Sequence, residues 1–434
     1  MNQDHMKLGY TDLMTDVEHT AEDSADVITP MMHLDADNDL WKRRALRLAE
    51  LMQTLWTGRN DRGRLQFKST YFTVDRVDAN PQRACDTVYH PRAVQPALLY
   101  WQRTGDTKLT KLFSAWMDTW VEATARAERG KPAGIIPGAI HWPDGNIGGL
   151  SDEWWNPRNH GEYTLYLWPS AMDMMTNTLL LTWRQTGDDK YLAPLRSMAR
   201  IHLKYLKDPP QTPPAAGTAA WCAQRMSDLL STLAKYKFLT GSDEFDELLD
   251  RRMTTYMRYR QEHNIDALAA SLKDTAEALS INFAGYTSEV RYTDRVLRFP
   301  RLFDGGGIVA KTSVPIRSPN PSLLYSTVTG DPGSALYFPL NAVRWLTPSR
   351  NIAILVTESQ TERFTAKLFN FDTTDRPMSA QLYLLTAGKY NFTLTRDDSR
   401  GHAPVNKPLI VTGPHTQITF TLPARATCTL SVGR

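Results

Sequence analysis

Apolar residues recur at helical spacing through roughly the first 300 positions and at strand spacing afterwards, with one change of pattern between them. Over 40–56, Leu46, Leu48, Leu51, Met52 and Leu55 form one stripe, with Asp39 placed as the N-cap and Gly58 as the helix stop. The same periodicity predicts helices over 92–103, 108–126, 169–185, 190–206, 218–239, 243–261 and 266–282. Three joints between them are alike: LLYWQRTGDTKL at 98–109, LLLTWRQTGDDKYL at 179–192 and LAKYKFLTGSDEF at 233–245. Gly105, Gly187 and Gly241 supply a left-handed stop, and Asp106, Asp188 and Asp243 open the following helix. The joints lie 82 and 54 residues apart, which marks a recurring helical hairpin and not a strict repeat.

Helical hairpins stacked side by side predict an α/α toroid over 39–300, incomplete or open because only about four hairpins are visible. After it, runs over 307–314, 334–340, 352–358, 365–372, 379–385, 390–396, 408–412, 417–423 and 426–432 alternate and are rich in β-branched residues. QITFTLP and TCTLSV are the clearest of these, and the series predicts an antiparallel β-sandwich over 301–434. The opening stretch, 1–38, mixes acids with Met and Thr and reads as a mobile or partly packed lead-in. The expected class is therefore a multi-domain α + β protein.

Composition narrows the chemistry. The 434 residues are 41% hydrophobic and 22% charged, which is ordinary for a globular chain. A net charge of +3 gives no reason to expect a nucleic-acid partner, and no apolar run is long enough for a membrane span. The first forty residues lack the basic and apolar stretches of a secretory leader, so the compartment stays open. Three scattered cysteines make neither a disulfide framework nor a metal knuckle. DADND at 35–39 imitates a calcium loop but has Leu40 where the turn needs Gly. With no phosphate loop, HExxH, GxSxG or dinucleotide fingerprint, neither cofactor nor metal is expected.

Two connections exceed the usual length of a structureless loop, 57–91 and 130–168, and both precede a helix. The second holds seven of the 24 glycines, together with His141, Trp142, Trp154, Trp155, Arg158, Asn159, His160, Tyr163 and Tyr166. One reading is a packed plug: Asn159 caps the next helix, His160 bonds a loop carbonyl and Tyr163 is core. The other is a substrate wall, because a sugar ring stacks its apolar face on Trp and presents polar edges to Arg, Asn and His. The wall is favoured. The first connection, closed by Arg92, carries seven Lys or Arg against four acids and ends in CDTVYHPR, which delivers Tyr89, His90 and Arg92 to a helix start. Cations there do not serve the helix dipole, so His90 and Arg92 are read as anion ligands.

Asn159-His160-Gly161-Glu162-Tyr163, opening a helix that runs on to the TGD joint at 186–188, resembles the (α/α)-toroid polysaccharide lyases, in particular the alginate-lyase-like superfamily. The resemblance covers 159–188 and the order of helical domain followed by β domain. Those lyases often have two Asn before the His, where this chain has one. The resemblance implies β-elimination beside a uronate carboxylate in an acidic polysaccharide or oligosaccharide. Asn159 with Arg158 or Arg92 would neutralise the carboxylate, while His160 takes the proton and Tyr163 protonates the leaving oxygen, with Tyr166 as substitute for Tyr163 and His90 as a further catalytic candidate. His141, Trp142, Trp154, Trp155 and Tyr89 would line the substrate. Two alternatives stay open: a glycoside hydrolase using a pair among Asp144, Asp152, Glu153 and Glu162, and a glycan-binding protein without turnover.

Overall fold

Val17, Ala21, Ala25, Ile28 and Met32 follow one another at steps of three and four, and in the computed structural model all five are buried on two helices. These are α1 (Val17–Asp23) and α2 (Ala25–Leu34). The stretch read as a mobile or partly packed lead-in is packed along these two helices. The structure describes residues 6–7, 10–35, 38–158, 164–227, 229–249, 253–282, 319–333, 340–348, 350–398 and 403–434. The chain divides into two compact units, one of 1–233 with 243–250 and one of 234–242 with 251–434.

In the first unit, helix α3 (Asp39–Leu51) is capped one residue earlier than expected. Asn38, not Asp39, accepts from Leu40 N at 2.9 Å. It ends in a π turn over Met52–Trp56, where the Thr57 hydroxyl donates to Met52 O at 2.7 Å, so Gly58 is not the stop. Gly58 is glycine because Trp142 lies on it: a Cβ there would sit 2.7 Å from the Trp142 ring. Two of the three similar joints form as expected. Helix α4 (Gln95–Thr104) stops at left-handed Gly105, and Asp106 accepts from Lys108 N and Leu109 N to start α5 (Thr107–Ala125). Helix α6 (Met172–Thr186) stops at left-handed Gly187, followed by a 3₁₀ turn and α7 (Ala193–Lys207).

The expected helix over 218–239 is broken into α8 (Ala219–Ala223) and α9 (Leu229–Thr240). Gly241 is left-handed as expected, yet Asp243 starts only a 3₁₀ turn over Asp246–Leu248. The neighbouring acids are drawn away, Glu244 to Arg200 at 2.7 Å and Glu247 to Lys207 at 2.9 Å, both on α7. Helical structure resumes at α10 (Thr255–Glu262), capped by Thr254, and continues in α11 (Ile265–Asn282).

Both long connections contain short antiparallel strands. After β1 (Met6–Lys7) and β2 (Tyr10–Thr11), strand β3 (Thr15–Asp16) pairs with β6 (Tyr71–Phe72), and β4 (Thr57–Arg59) pairs with β5 (Leu65–Phe67). Strand β7 (Cys85–Thr87) pairs with β8 (Ala139–His141), which stitches one connection to the other. Asp86 sits at this seam with no solvent exposure. Its Oδ2 accepts from Trp116 Nε1 at 2.7 Å, Trp120 Nε1 at 3.3 Å and Phe67 N at 3.3 Å. Its Oδ1 lies 3.0 Å from His90 Nδ1. That ring nitrogen also receives Thr87 N–H at 2.8 Å, so a neutral ring bonds Thr87 and a charged one bonds Asp86.

The second unit has helix α12 (Pro321–Thr329), which the apolar pattern did not predict although it has a full set of end signals. Asn320 accepts from Leu323 N, Pro321 occupies the first turn and Gly330 is left-handed. Its strands are β9 (Val343–Trp345), β10 (Ile352–Ser359), β11 (Arg363–Asn370), β12 (Arg376–Leu382), β13 (Gly388–Arg396), β14 (Val405–Val411), β15 (Thr416–Leu422) and β16 (Thr427–Gly433). They form a five-stranded sheet in the order β10-β11-β16-β13-β14 and a three-stranded sheet in the order β15-β12-β9, all antiparallel. Alternate residues, among them Phe364, Ala366 and Leu368 of one sheet and Met378, Ala380 and Leu382 of the other, share one core. The expected strand at 307–314 and all but one residue of that at 334–340 lie outside the described residues.

Removing the Asp86 carboxylate strands two indole N–H groups, a backbone N–H and a buried imidazole. Asp86→Ala is expected to destabilise the first unit by about 3–5 kcal/mol. Chemical denaturation followed by Trp fluorescence measures it, and a loss below about 1 kcal/mol would remove Asp86 from its central place.

Candidate functional site

The glycine-rich connection is held in shape by guanidinium groups that donate to its backbone. Arg129 donates to the carbonyls of Ile147 and Gly149, both at 2.9 Å, and to that of Ser151. Arg126 donates to Gly145 O at 2.9 Å and pairs with Glu128. Arg62, reaching across from the first connection, donates to Asn146 Oδ1 and Glu128 at 2.6 Å and to Asp144 O at 3.2 Å. The cationic excess of the first connection thus goes in part to internal partners. Gly145 is left-handed (φ 69°), and a Cβ on it would stand 2.5 Å from the Asn60 amide.

Lys131 continues this pattern in the interior. It is 1% exposed, and Nζ donates to the carbonyls of Thr124, Pro132 and Ile135 at 2.8–3.0 Å. Burial pushes its pKa down to about 7.

Four indoles close a ring beside these turns. Centroid distances are 6.1 Å for Trp154–Trp155, 5.8 Å for Trp155–Trp221, 5.6 Å for Trp221–Trp168 and 5.9 Å for Trp168–Trp154. Trp154 is fully buried and donates to Gly217 O at 3.2 Å, so it packs the ring and presents no face to a sugar, contrary to expectation. Trp155 and Trp221 are half-buried, and the Arg225 guanidinium stacks 4.1 Å from the centre of Trp221. Gly217, left-handed at φ 80°, supports Trp155: a Cβ there would fall 2.1 Å from its ring. Neither Trp221 nor Gly217 carries a local signal for this role.

The turn ending the first connection is occupied internally. Tyr89 donates to Glu18 at 3.1 Å, and Arg92 reaches Tyr89 Oη at 3.3 Å and Asp26 at 2.6 Å. Both acids belong to the segment read as a lead-in. His90 is fully buried, stacks on Phe67 at 4.1 Å and has its second nitrogen 3.0 Å from Ser69 O. The expected roles of His90 and Arg92 as anion ligands give way to placement beside Asp86, four residues back in the same turn, and to pairing with Asp26, which comes within reach of Arg92 only on folding. Tyr166 is 2% exposed. Burial pushes its phenol well above the ordinary value, helped by the charge of Asp16.

His141 lies 3.0 Å from Asp144, and Trp142 covers Gly58. Partial burial raises the Asp144 carboxyl, but Asn146 N–H, the His141 ring and the Asn146 amide outweigh it and hold the group below the usual carboxylate range. Arg158 is exposed, and both it (φ 54°) and Ala171 (φ 53°), the residue before α6, are left-handed. Asn159, His160 and Tyr163 lie between them in sequence and outside the described residues. Among the described residues no three His, Cys, Asp or Glu side chains are grouped to hold a metal, and no helix is long and apolar enough to cross a membrane.

Two consequences follow for stability. Between pH 7 and the ordinary lysine value of 10.5, the unfolded chain binds a proton at position 131 that the folded chain does not. Folding stability therefore gains with rising pH across that window, and Lys131→Met is expected to flatten this rise in denaturation midpoints; an unchanged slope would contradict it. Gly217→Ala places a methyl under the Trp155 ring in a backbone region that disfavours it, for an expected loss of about 1–3 kcal/mol and an altered Trp signal in near-ultraviolet circular dichroism. A variant with wild-type midpoint and spectrum would show that the ring does not rest on Gly217.

No family model matches this chain, and no curated protein does. Among solved structures, it is similar to a Paenibacillus polymyxa xyloglucanase from GH family 44 with xyloglucan, at 14% identity and a TM-score of 0.15. The similarity covers 19% of this chain and 17% of that chain, less than a fifth of either.

Proposed function

We propose that this chain is a carbohydrate-active enzyme: a polysaccharide lyase that cleaves a uronate-containing glycan by β-elimination, on a helical toroid followed by a β-sandwich. The observation that carries the reading is the arrangement around Asn159-His160-Gly161-Glu162-Tyr163. The motif enters from Arg158 and leaves toward Ala171, two non-glycine residues held left-handed, a conformation found preferentially at functional sites. Half-buried Trp155 and Trp221, with Arg225 on the latter, supply an aromatic and cationic surface in the same unit.

In this mechanism Asn159 and Arg158 direct N–H groups at the uronate carboxylate and stabilise the charge that develops on it. His160 removes the C5 proton. The electron pair forms the C4–C5 double bond, the C4–O bond breaks, and Tyr163 protonates the departing oxygen. Tyr163 is preferred to Tyr166 because Tyr166 is buried. Elimination is preferred to hydrolysis because a hydrolase needs one carboxyl kept protonated beside the scissile bond. Of the four carboxyls weighed for hydrolysis, Asp144 is held below the usual carboxylate range by its neighbours, Asp152 and Glu153 are exposed, and Glu162 lies outside the described residues.

The test is near-ultraviolet absorbance of the protein with a panel of polyuronates, with reducing ends assayed in parallel. The expected result is rising absorbance from the unsaturated product. His160→Ala is expected to lower that rate by about a hundredfold or more with the denaturation midpoint unchanged. New reducing ends without absorbance would replace elimination by hydrolysis, and a fully active His160→Ala protein would remove His160 from the mechanism.

A further inference from the structure

The second unit contains a cavity of about 330 Å³, within the size range of small-molecule sites. It lies between the C-terminal turn of α9, helix α10 and the β10–β11 turn. Its lining includes Lys237, Phe238, Met253, Met257, Arg260 and Gln360, and among the described residues it holds two cations and no carboxylate. Arg260 is half-buried and built into place. Its Nη1 donates to Ser359 Oγ at 2.9 Å and lies 3.4 Å from Tyr256 Oη. Its guanidinium carbon lies 4.9 Å from the Phe238 ring and 5.9 Å from that of Tyr256. Tyr256 is itself anchored, donating to Val356 O at 2.7 Å. These bonds use Nη1 alone, and among the described residues no carboxylate pairs with Arg260.

A half-buried guanidinium with one edge pinned, at the wall of a cavity whose described lining offers it no carboxylate, is arranged to receive an anion from outside. Met253, Met257 and Phe238 add thioether and aromatic surface, which suits a hydrocarbon body and not a bare inorganic ion. We propose that this cavity binds a small organic monocarboxylate, its carboxylate on Arg260 and its hydrocarbon part against Met253 and Met257. The site is independent of the reaction proposed for the first unit.

The experiment uses the full chain labelled with ¹³C at the methionine methyls, titrated with hexanoate, its neutral analogue hexanamide, and phosphate. Met253→Leu and Met257→Leu assign the two signals. The expected result is saturable movement of both signals with hexanoate, at least about tenfold weaker with hexanamide, and no movement with phosphate. Arg260→Lys keeps the charge but loses the planar fork and is expected to weaken hexanoate binding about tenfold, with Arg260→Gln weakening it further. Near-ultraviolet circular dichroism checks that both variants are folded. Equal response to hexanoate and hexanamide, a response to phosphate alone, or no movement with hexanoate would each overturn the proposal.

Discussion

A carboxylate with no access to water depends on the polar groups around it, and Asp86 collects them from three parts of the first unit. Trp116 and Trp120 come from α5, Phe67 N–H from β5, and His90 from the turn before α4. Asp86 also lies on β7, the strand that pairs with β8 of the second long connection. Burying such a charge is costly unless all its bonds form together, so the group ties the helices and both connections into one arrangement. The stacking of His90 on Phe67 and the enclosure of Tyr166 occur in the same unit and reinforce that arrangement.

Around this centre, cations serve the backbone. Long glycine-rich segments leave many carbonyls without secondary-structure partners, and each one buried without a donor is unfavourable. Arg129, Arg126, Arg62 and Lys131 supply those donors, several with more than one bond each. The turns they fix run directly into Trp154 and Trp155, whose neighbouring rings have unequal fates. One is enclosed by Trp168 and Gly217, and the other remains partly open beside Trp221. The result of this scaffolding is one indole closed into the core and one, Trp155, partly open beside Trp221.

In the second unit the two sheets bury one face each, and the strict alternation of β11 and β16 leaves little freedom of register. The cavity forms away from that core, where α9 and α10 meet the β10–β11 turn. Its guanidinium is held by neighbours that belong to ordinary packing, Tyr256 and Ser359, which keep it partly out of water with no acid paired to it among the described residues.

Much of the architecture was legible because its causes are local. The stops at Gly105 and Gly187 and the cap at Asp106 act within one turn, and the alternation over 417–423 reports a face of one strand. Those signals determined the order of helices and strands, most boundaries to within a few residues, and the two connections where the chain departs from regular structure. Where a distant partner competed, local reading failed: Glu244 and Glu247 were taken by Arg200 and Lys207, and the joint at Asp243 did not open a full helix. The candidate site was legible as a segment and not as a set of contacts. Whether Arg92 meets a ligand or Asp26, and whether a Trp faces solvent or core, is decided by residues 66 positions away in the first case and by Gly217 in the second. Such pairings arise from chain closure and from the need to satisfy buried charge, and tertiary structure alone determines them.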